Sequence, residues 1–67
     1  MLAEIGRLSP REREVLWLIR IGRSYGQVGV ILGVTRGTVR TFVERAYRKL
    51  GIVSRREIPP IPPGPRV

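Results

Sequence analysis

The chain is punctuated three times by paired start and stop signals, and these set the number and lengths of its helices. Ser9, Pro10 and Glu12 stand as N-cap, first-turn proline and capping-box acid, and Gly22 is placed to end that helix in the left-handed conformation. Ser24 and Gln27 repeat the capping box, with Gly33 as the next stop. Thr35 caps a third element, Val34 and Val39 have the spacing of a hydrophobic staple, and Gly51 closes it. These signals predict a first helix from Pro10 to Ile21, a short second one between Ser24 and Gly33, and a third of about four turns between Thr35 and Gly51.

Apolar residues recur at helical spacing within each predicted element. Val15, Leu16 and Ile19 form one stripe with Leu18 at its edge, Val28 and Leu32 a second, and Val39, Phe42, Val43, Ala46 and Leu50 a third. Three stripes close one core, so the expected fold class is all-α, a compact three-helix domain. A chain of 67 residues buries only a modest core and leaves no room for a deep catalytic cleft. A helix of about two turns, a connection of about three residues containing Gly33 and a longer helix make the spacing of a helix-turn-helix, whose second member lies in a DNA groove.

With its apolar stripe removed, the third helix presents Arg36, Gly37, Arg40, Thr41, Glu44, Arg45, Arg48 and Lys49 outward. The net charge of +8 is concentrated there: from Thr35 to Arg56, seven basic residues stand against Glu44 alone. Charge by itself leaves two readings open. One is a polyanion-binding face; the other is a solvated helix surface in which Arg40, Glu44 and Arg48 form an i,i+4 ion-pair ladder. On the first reading, Thr35 and Thr38 at the positive helix end anchor a phosphate, and Arg36, Arg40, Thr41 and Glu44 are candidates to reach base edges. Arg45, Arg48, Lys49 and Arg55 are then candidate phosphate contacts.

Other functions lose their chemistry. The chain has no cysteine, histidine or aspartate, so disulfides, thiolate metal sites and most acid–base groups are absent, and the five glutamates fall at helix starts or among arginines. The expectation is a binding protein rather than an enzyme, with no metal, no cofactor and no small-molecule substrate. The longest apolar runs are too short to span a bilayer, and "MLAEIGRLSPR" lacks the basic-then-apolar order of a signal peptide, so a cytoplasmic protein that does not engage membranes is expected.

Through "LSPREREVLWLI" and "GRSYGQVGVILGVTRGTVRTFVERAYRKLGIVSR" the chain resembles the LuxR/GerE-type helix-turn-helix. That pattern includes a Leu-Thr/Ser-x-Arg-Glu start, a Gly before helix two, a Thr-Val opening of the recognition helix and a Lys-Leu-Gly-Ile/Val-x-Ser-Arg close. The resemblance covers Leu8 to Arg55. Region four of bacterial sigma factors is similar over "SYGQVGVILGVTRGTVR" and the following Arg45 and Ala46. The resemblance implies a small bacterial or bacteriophage transcription regulator bound to double-stranded DNA, with Thr38 and Lys49 on the DNA backbone and Arg40, Thr41 and Glu44 facing the major groove.

The chain also departs from that pattern. Helix two usually reads Glu-Ile-Ala where this chain has Gln27, Val28 and Gly29, and Gly26 and Gly29 each cost about 1 kcal/mol of helix stability relative to alanine. Phe42 stands where a histidine is common. Glu44, if it faces DNA, accepts from a cytosine amino group. LuxR-type domains continue into a fourth helix that commonly makes the dimer contact. Here Ser54 and Glu57 form a capping box, and Val53 and Ile58 have staple spacing, but Pro59 and Pro60 limit any fourth helix to about one turn. The expected organisation is a helix-turn-helix domain over 1–56 and a proline-rich tail over 57–67, the tail extended as polyproline II or disordered.

Four large apolar residues are expected on outer faces: Trp17 and Ile21 on helix one, Val30 and Ile31 on helix two. Exposed apolar groups rimmed with charge mark a candidate protein-partner surface. They support an alternative class of function, an interaction or assembly module with a degenerate helix-turn-helix. Such a module would self-associate, bind RNA polymerase, or build an oligomeric phage DNA-packaging component.

Overall fold

The computed structural model describes residues 5–61. Helix α1 spans Pro10–Arg20, α2 Tyr25–Leu32 and α3 Arg36–Leu50, followed by one 3-10 turn, Arg55–Glu57. The capping signals act as their residue types dictate. Ser9 Oγ accepts from Glu12 N at 3.1 Å while the Glu12 carboxylate accepts from Ser9 N at 2.9 Å, and Ser24 and Gln27 repeat the exchange at the same two distances. Thr35 Oγ1 accepts from Thr38 N at 3.1 Å. Gly33 and Gly51 end α2 and α3 with φ of 72° and 69°, a backbone region that side chains with a Cβ avoid. Helix α1 stops one residue earlier than expected: Ile21 is its C-cap, and Gly22 takes the positive φ.

Helix α3 packs against both α1 and α2, so the third helix is supported along its apolar stripe while its other face stays open. Val15, Leu16, Val28, Val39 and Ala46 have no exposed surface, and Ile19, Val43 and Leu50 are buried beside them. Leu18 lies inside the core rather than at its edge. Leu32 and Phe42 are only half-buried and pack against the core from its margin. Val34, opposite the buried Val39, is half-buried there too, as the staple spacing requires.

The core extends beyond the three stripes on both sides. Ile5 and Leu8 close it from the N-terminal side, and Ile58 and Ile61 are each only 5% exposed. Both isoleucines, from the segment expected as a proline-rich tail, are thus members of the same core cluster as the three helices. Ile58 takes φ −63° and ψ 121°, near polyproline II values, and that helix repeats every three residues. Pro59 and Pro60 lie between the two buried isoleucines. The expected single turn after Ser54 is present, with Glu57 Oε2 accepting from Val53 N at 2.8 Å and Ser54 N at 2.9 Å. The Val53–Ile58 staple is not: Val53 is 87% exposed while Ile58 is buried. Expectations for the rest of the tail, from Pro62 to Val67, fall outside the described residues.

Candidate nucleic-acid interface

Helices α2 and α3 are joined through Gly33, Val34 and Thr35, and the joint is tight. Val34 N donates to Gly29 O at 2.9 Å, and a Cβ on Gly29 would lie 2.6 Å from Val34 O. The missing side chain at Gly29 thus lets the turn close over α2, which fixes the angle at which α3 leaves. Beyond the turn, α3 divides cleanly. Val39, Val43, Ala46 and Leu50 are buried, while Arg36, Gly37, Thr38, Arg40, Thr41, Glu44, Arg45, Arg48 and Lys49 are exposed.

The expected contact residues occupy distinct environments on this face. At its N-terminal end, Thr35 Oγ1 also donates to Thr38 Oγ1 at 3.1 Å, so the two threonines are held to each other at the positive end of the helix. Arg36 turns back toward α2 and lines a groove with Tyr25, Gly37 and Arg40. Tyr25 was not among the residues singled out from sequence; its place directly after the Ser24 cap was the available signal. Thr41 Oγ1 donates to Gly37 O at 3.1 Å, which leaves that hydroxyl able only to accept and its methyl free. Arg40 Nε lies 3.3 Å from Glu44 Oε2. Among the described residues Glu44 forms its ion pair with Arg40 alone, so the ladder expected to continue to Arg48 has a single rung.

At the far end of α3, Lys49 has an internal partner that the sequence did not disclose. Its Nζ lies 2.8 Å from Glu12 Oε1, with the lysine side chain 41% exposed and the glutamate side chain only 5%. Burial raises the Glu12 pKa, but the hydrogen bond and charge of Lys49, with the Ser9 N–H, outweigh it and hold the carboxyl below the usual glutamate range. Glu14, also buried, pairs with Arg11 at 3.3 Å. Arg45 and Arg48 on α3 and Arg55 in the 3-10 turn are exposed. Tyr47 is half-buried; burial first, then the nearness of Tyr25, raises its pKa above that of a free phenol against the opposing charge of Arg55.

The outer apolar surface is smaller than expected. Ile21 is 43%, Val30 84% and Ile31 47% exposed, but Trp17 is half-buried and packs against the core. A tryptophan is large enough to cover the core margin even from a position outside the stripe, and so three residues, not four, form the exposed set on α1 and α2. Val30 and Ile31 line a groove with Arg23, Gly26 and Gln27. Among the described residues, no group of histidine, cysteine or acidic side chains is arranged to hold a metal ion, and no helix is long and apolar enough to cross a membrane.

A short helix, a tight glycine-ended turn and a longer helix with a basic outer face define a helix-turn-helix protein of the DNA-binding class. The family model for luxR-family bacterial regulatory proteins, GerE, matches residues 6–59, and the chain belongs to that family. It is 45% identical over 49 residues to the transcriptional activator protein CarR of Pectobacterium carotovorum subsp. carotovorum, covering 73% of this chain and 20% of that protein. Over 52 residues it is 38% identical to the transcriptional activator protein YukR of Yersinia ruckeri, covering 78% and 23%. A probable transcriptional regulatory protein NarL of Mycobacterium tuberculosis is 48% identical over 48 residues, covering 72% and 22%. The chain thus spans about a fifth of the length of these relatives. No solved structure is significantly similar to it.

Proposed function

We propose that the chain is a sequence-specific DNA-binding module of transcription regulation that inserts α3 in the major groove, where Arg40 and Thr41 meet base edges. One observation carries this reading: α3 buries Val39, Val43, Ala46 and Leu50 and presents five basic side chains on its open face with a single carboxylate among them. Thr35, Thr38, Arg45, Arg48 and Arg55 flank that face as phosphate contacts, which position the helix without reading sequence. Lys49 joins them through the N–H groups that Glu12 leaves free. Arg36, folded toward Tyr25, serves the backbone better than a base edge. The activity is binding rather than catalysis, in the cytoplasm where the duplex is accessible, and the relatives named as transcriptional activators support the regulatory role.

A second reading has an observation of its own. The groove of Val30, Ile31, Gly26 and Arg23 is apolar and open, which suits contact with another protein, whether a second copy or RNA polymerase.

Titration of a duplex selected by the protein from a random pool, alongside its scrambled counterpart, at two salt concentrations tests the first reading. Binding should weaken steeply with salt, by a log–log slope of about −0.9 for each phosphate neutralised. Arg40→Ala should lose about 1–3 kcal/mol on the selected duplex and far less on the scrambled one. A wild-type protein with no salt-dependent duplex binding removes this reading and leaves the protein-contact one.

A further inference from the structure

Glu44 is the one glutamate of the described residues whose place the fold does not explain. Glu12 closes the α1 capping box and holds Lys49, Glu14 is buried beside Arg11, and Glu57 caps the 3-10 turn. Glu44 stands on the open face of α3, 58% exposed, and its ion pair is with Arg40, 73% exposed. Such a pair adds little to stability, because water screens it and because the acid lies C-terminal to the base, the weaker order on a helix. On a face meant for a polyanion, a lone carboxylate also opposes phosphate at every sequence alike.

The geometry of the contact gives it a use. Glu44 Oε2 engages Arg40 through Nε, at 3.3 Å, and so occupies the one guanidinium nitrogen that lies on the stem side of the fork. The two terminal nitrogens remain free as parallel donors, the arrangement that matches guanine O6 and N7. Without the carboxylate, a solvated arginine samples many rotamers and is equally able to turn onto a phosphate. From its other side Arg40 adjoins Arg36 and Tyr25 in the groove between α2 and α3, where Arg36 supplies a second cation for the backbone.

Resting on the DNA-binding reading above, we infer that Glu44 is a positioning residue for sequence discrimination: it holds the Arg40 fork toward a guanine edge and disfavours the phosphate-bound alternative. It acts through Arg40 and does not itself read a cytosine. The carboxylate therefore weakens indiscriminate binding and strengthens preference, two effects that a purely structural ion pair does not produce.

The test is a double-mutant cycle on the selected and scrambled duplexes, with Glu44→Gln, Arg40→Ala and the double variant, each at two salt concentrations. Glutamine keeps the size and removes the charge. Glu44→Gln should tighten binding to the scrambled duplex by about threefold and steepen the salt slope, as one fewer negative charge faces the phosphates. The ratio of selected to scrambled affinity should fall by about tenfold, the scale of one well-placed bidentate contact. In the Arg40→Ala background the same substitution should leave that ratio unchanged. Selection of a different base at one pair by Glu44→Gln, persisting when Arg40 is alanine, would make Glu44 a direct reader and overturn the inference. An unchanged ratio in the single variant overturns it as well. A wild type that binds duplex without any preference removes the base-reading assignment itself, and that result is distinct because it appears before any variant is compared.

Discussion

Glu12 and Lys49 join the beginning of α1 to the end of α3, Oε1 to Nζ at 2.8 Å, across 37 residues of sequence. The same Glu12 oxygen accepts from Ser9 N, so one carboxylate both starts α1 and anchors the helix proposed to meet DNA. Its pKa is lowered in the folded chain, which means the unfolded chain takes up the proton first as pH falls. The stability that Glu12 contributes is complete above the ordinary glutamate range and is lost as pH drops through the lowered folded value. Urea melts from neutral pH downward should show this loss in the wild type and a flatter profile in Glu12→Gln. At neutral pH, Lys49→Met should cost about 1–3 kcal/mol by leaving the buried carboxylate without its cation, and adding Glu12→Gln should restore part of that. Additive losses from the two substitutions would mean the contact carries no coupling energy.

How far this arrangement could be read from the sequence depends on the range of the signal. Ser9–Glu12, Ser24–Gln27 and the glycines after each helix act within a few residues, and their chemistry specifies helix ends almost to the residue. The stripes of α1 and α3 obey a fixed period, which makes Val15, Leu16, Val39 and Val43 legible as core. Lys49 pairing with Glu12 depends on how two helices cross, and no local pattern encodes that. Trp17 lies off the stripe, yet its ring is broad enough to reach the core margin, so period alone places it outside. Ile58 and Ile61 lie beyond the last helix, among prolines, where a helical template does not detect them. Of the candidate interface, the outward set on α3 was visible from its period, whereas the groove that Arg36 shares with Tyr25 required the α2–α3 angle.

The packed tail leads to a direct expectation. Ile61→Ala should lower unfolding free energy by about 2 kcal/mol or more, as removal of a buried isoleucine side chain generally does. Ending the chain after Arg56 should do greater damage, because both Ile58 and Ile61 leave the core. A chain truncated there that melts like the full-length protein would show the tail to be dispensable and its burial to have little weight.

Trp17 supplies its own reporter, as the only tryptophan of the chain. Half-buried and packed against the core, it should give emission between the solvated and fully buried limits. Trp17→Ser should cost about 2 kcal/mol, less than the roughly 3–5 kcal/mol typical of a completely buried aromatic. A melt indistinguishable from wild type would return Trp17 to the outer apolar surface beside Ile21.

The two glycines within α2 should respond to alanine with opposite signs. At Gly26 the nearest atoms to a new Cβ, on Arg36 and Ser24, are 3.9 Å away, ordinary contact, so Gly26→Ala gains most of the helix propensity difference of about 1 kcal/mol. At Gly29 the new Cβ meets the backbone oxygen of Val34 at 2.6 Å, closer than carbon and oxygen tolerate, and a carbonyl inside the turn cannot rotate away as a long side chain can. Gly29→Ala must therefore push Val34 and Thr35 outward, which disturbs the amide of Val34 on Gly29 O and the cap that Thr35 supplies to α3. The propensity gain should be outweighed, and thermal melts should show Gly26→Ala above wild type and Gly29→Ala below it. If the variant also binds the selected duplex less well than its remaining folded fraction predicts, the close approach at Gly29 sets the angle of α3. A stabilised Gly29→Ala protein with unchanged binding would show that the turn relaxes freely, and the tight α2–α3 joint would lose its assigned role.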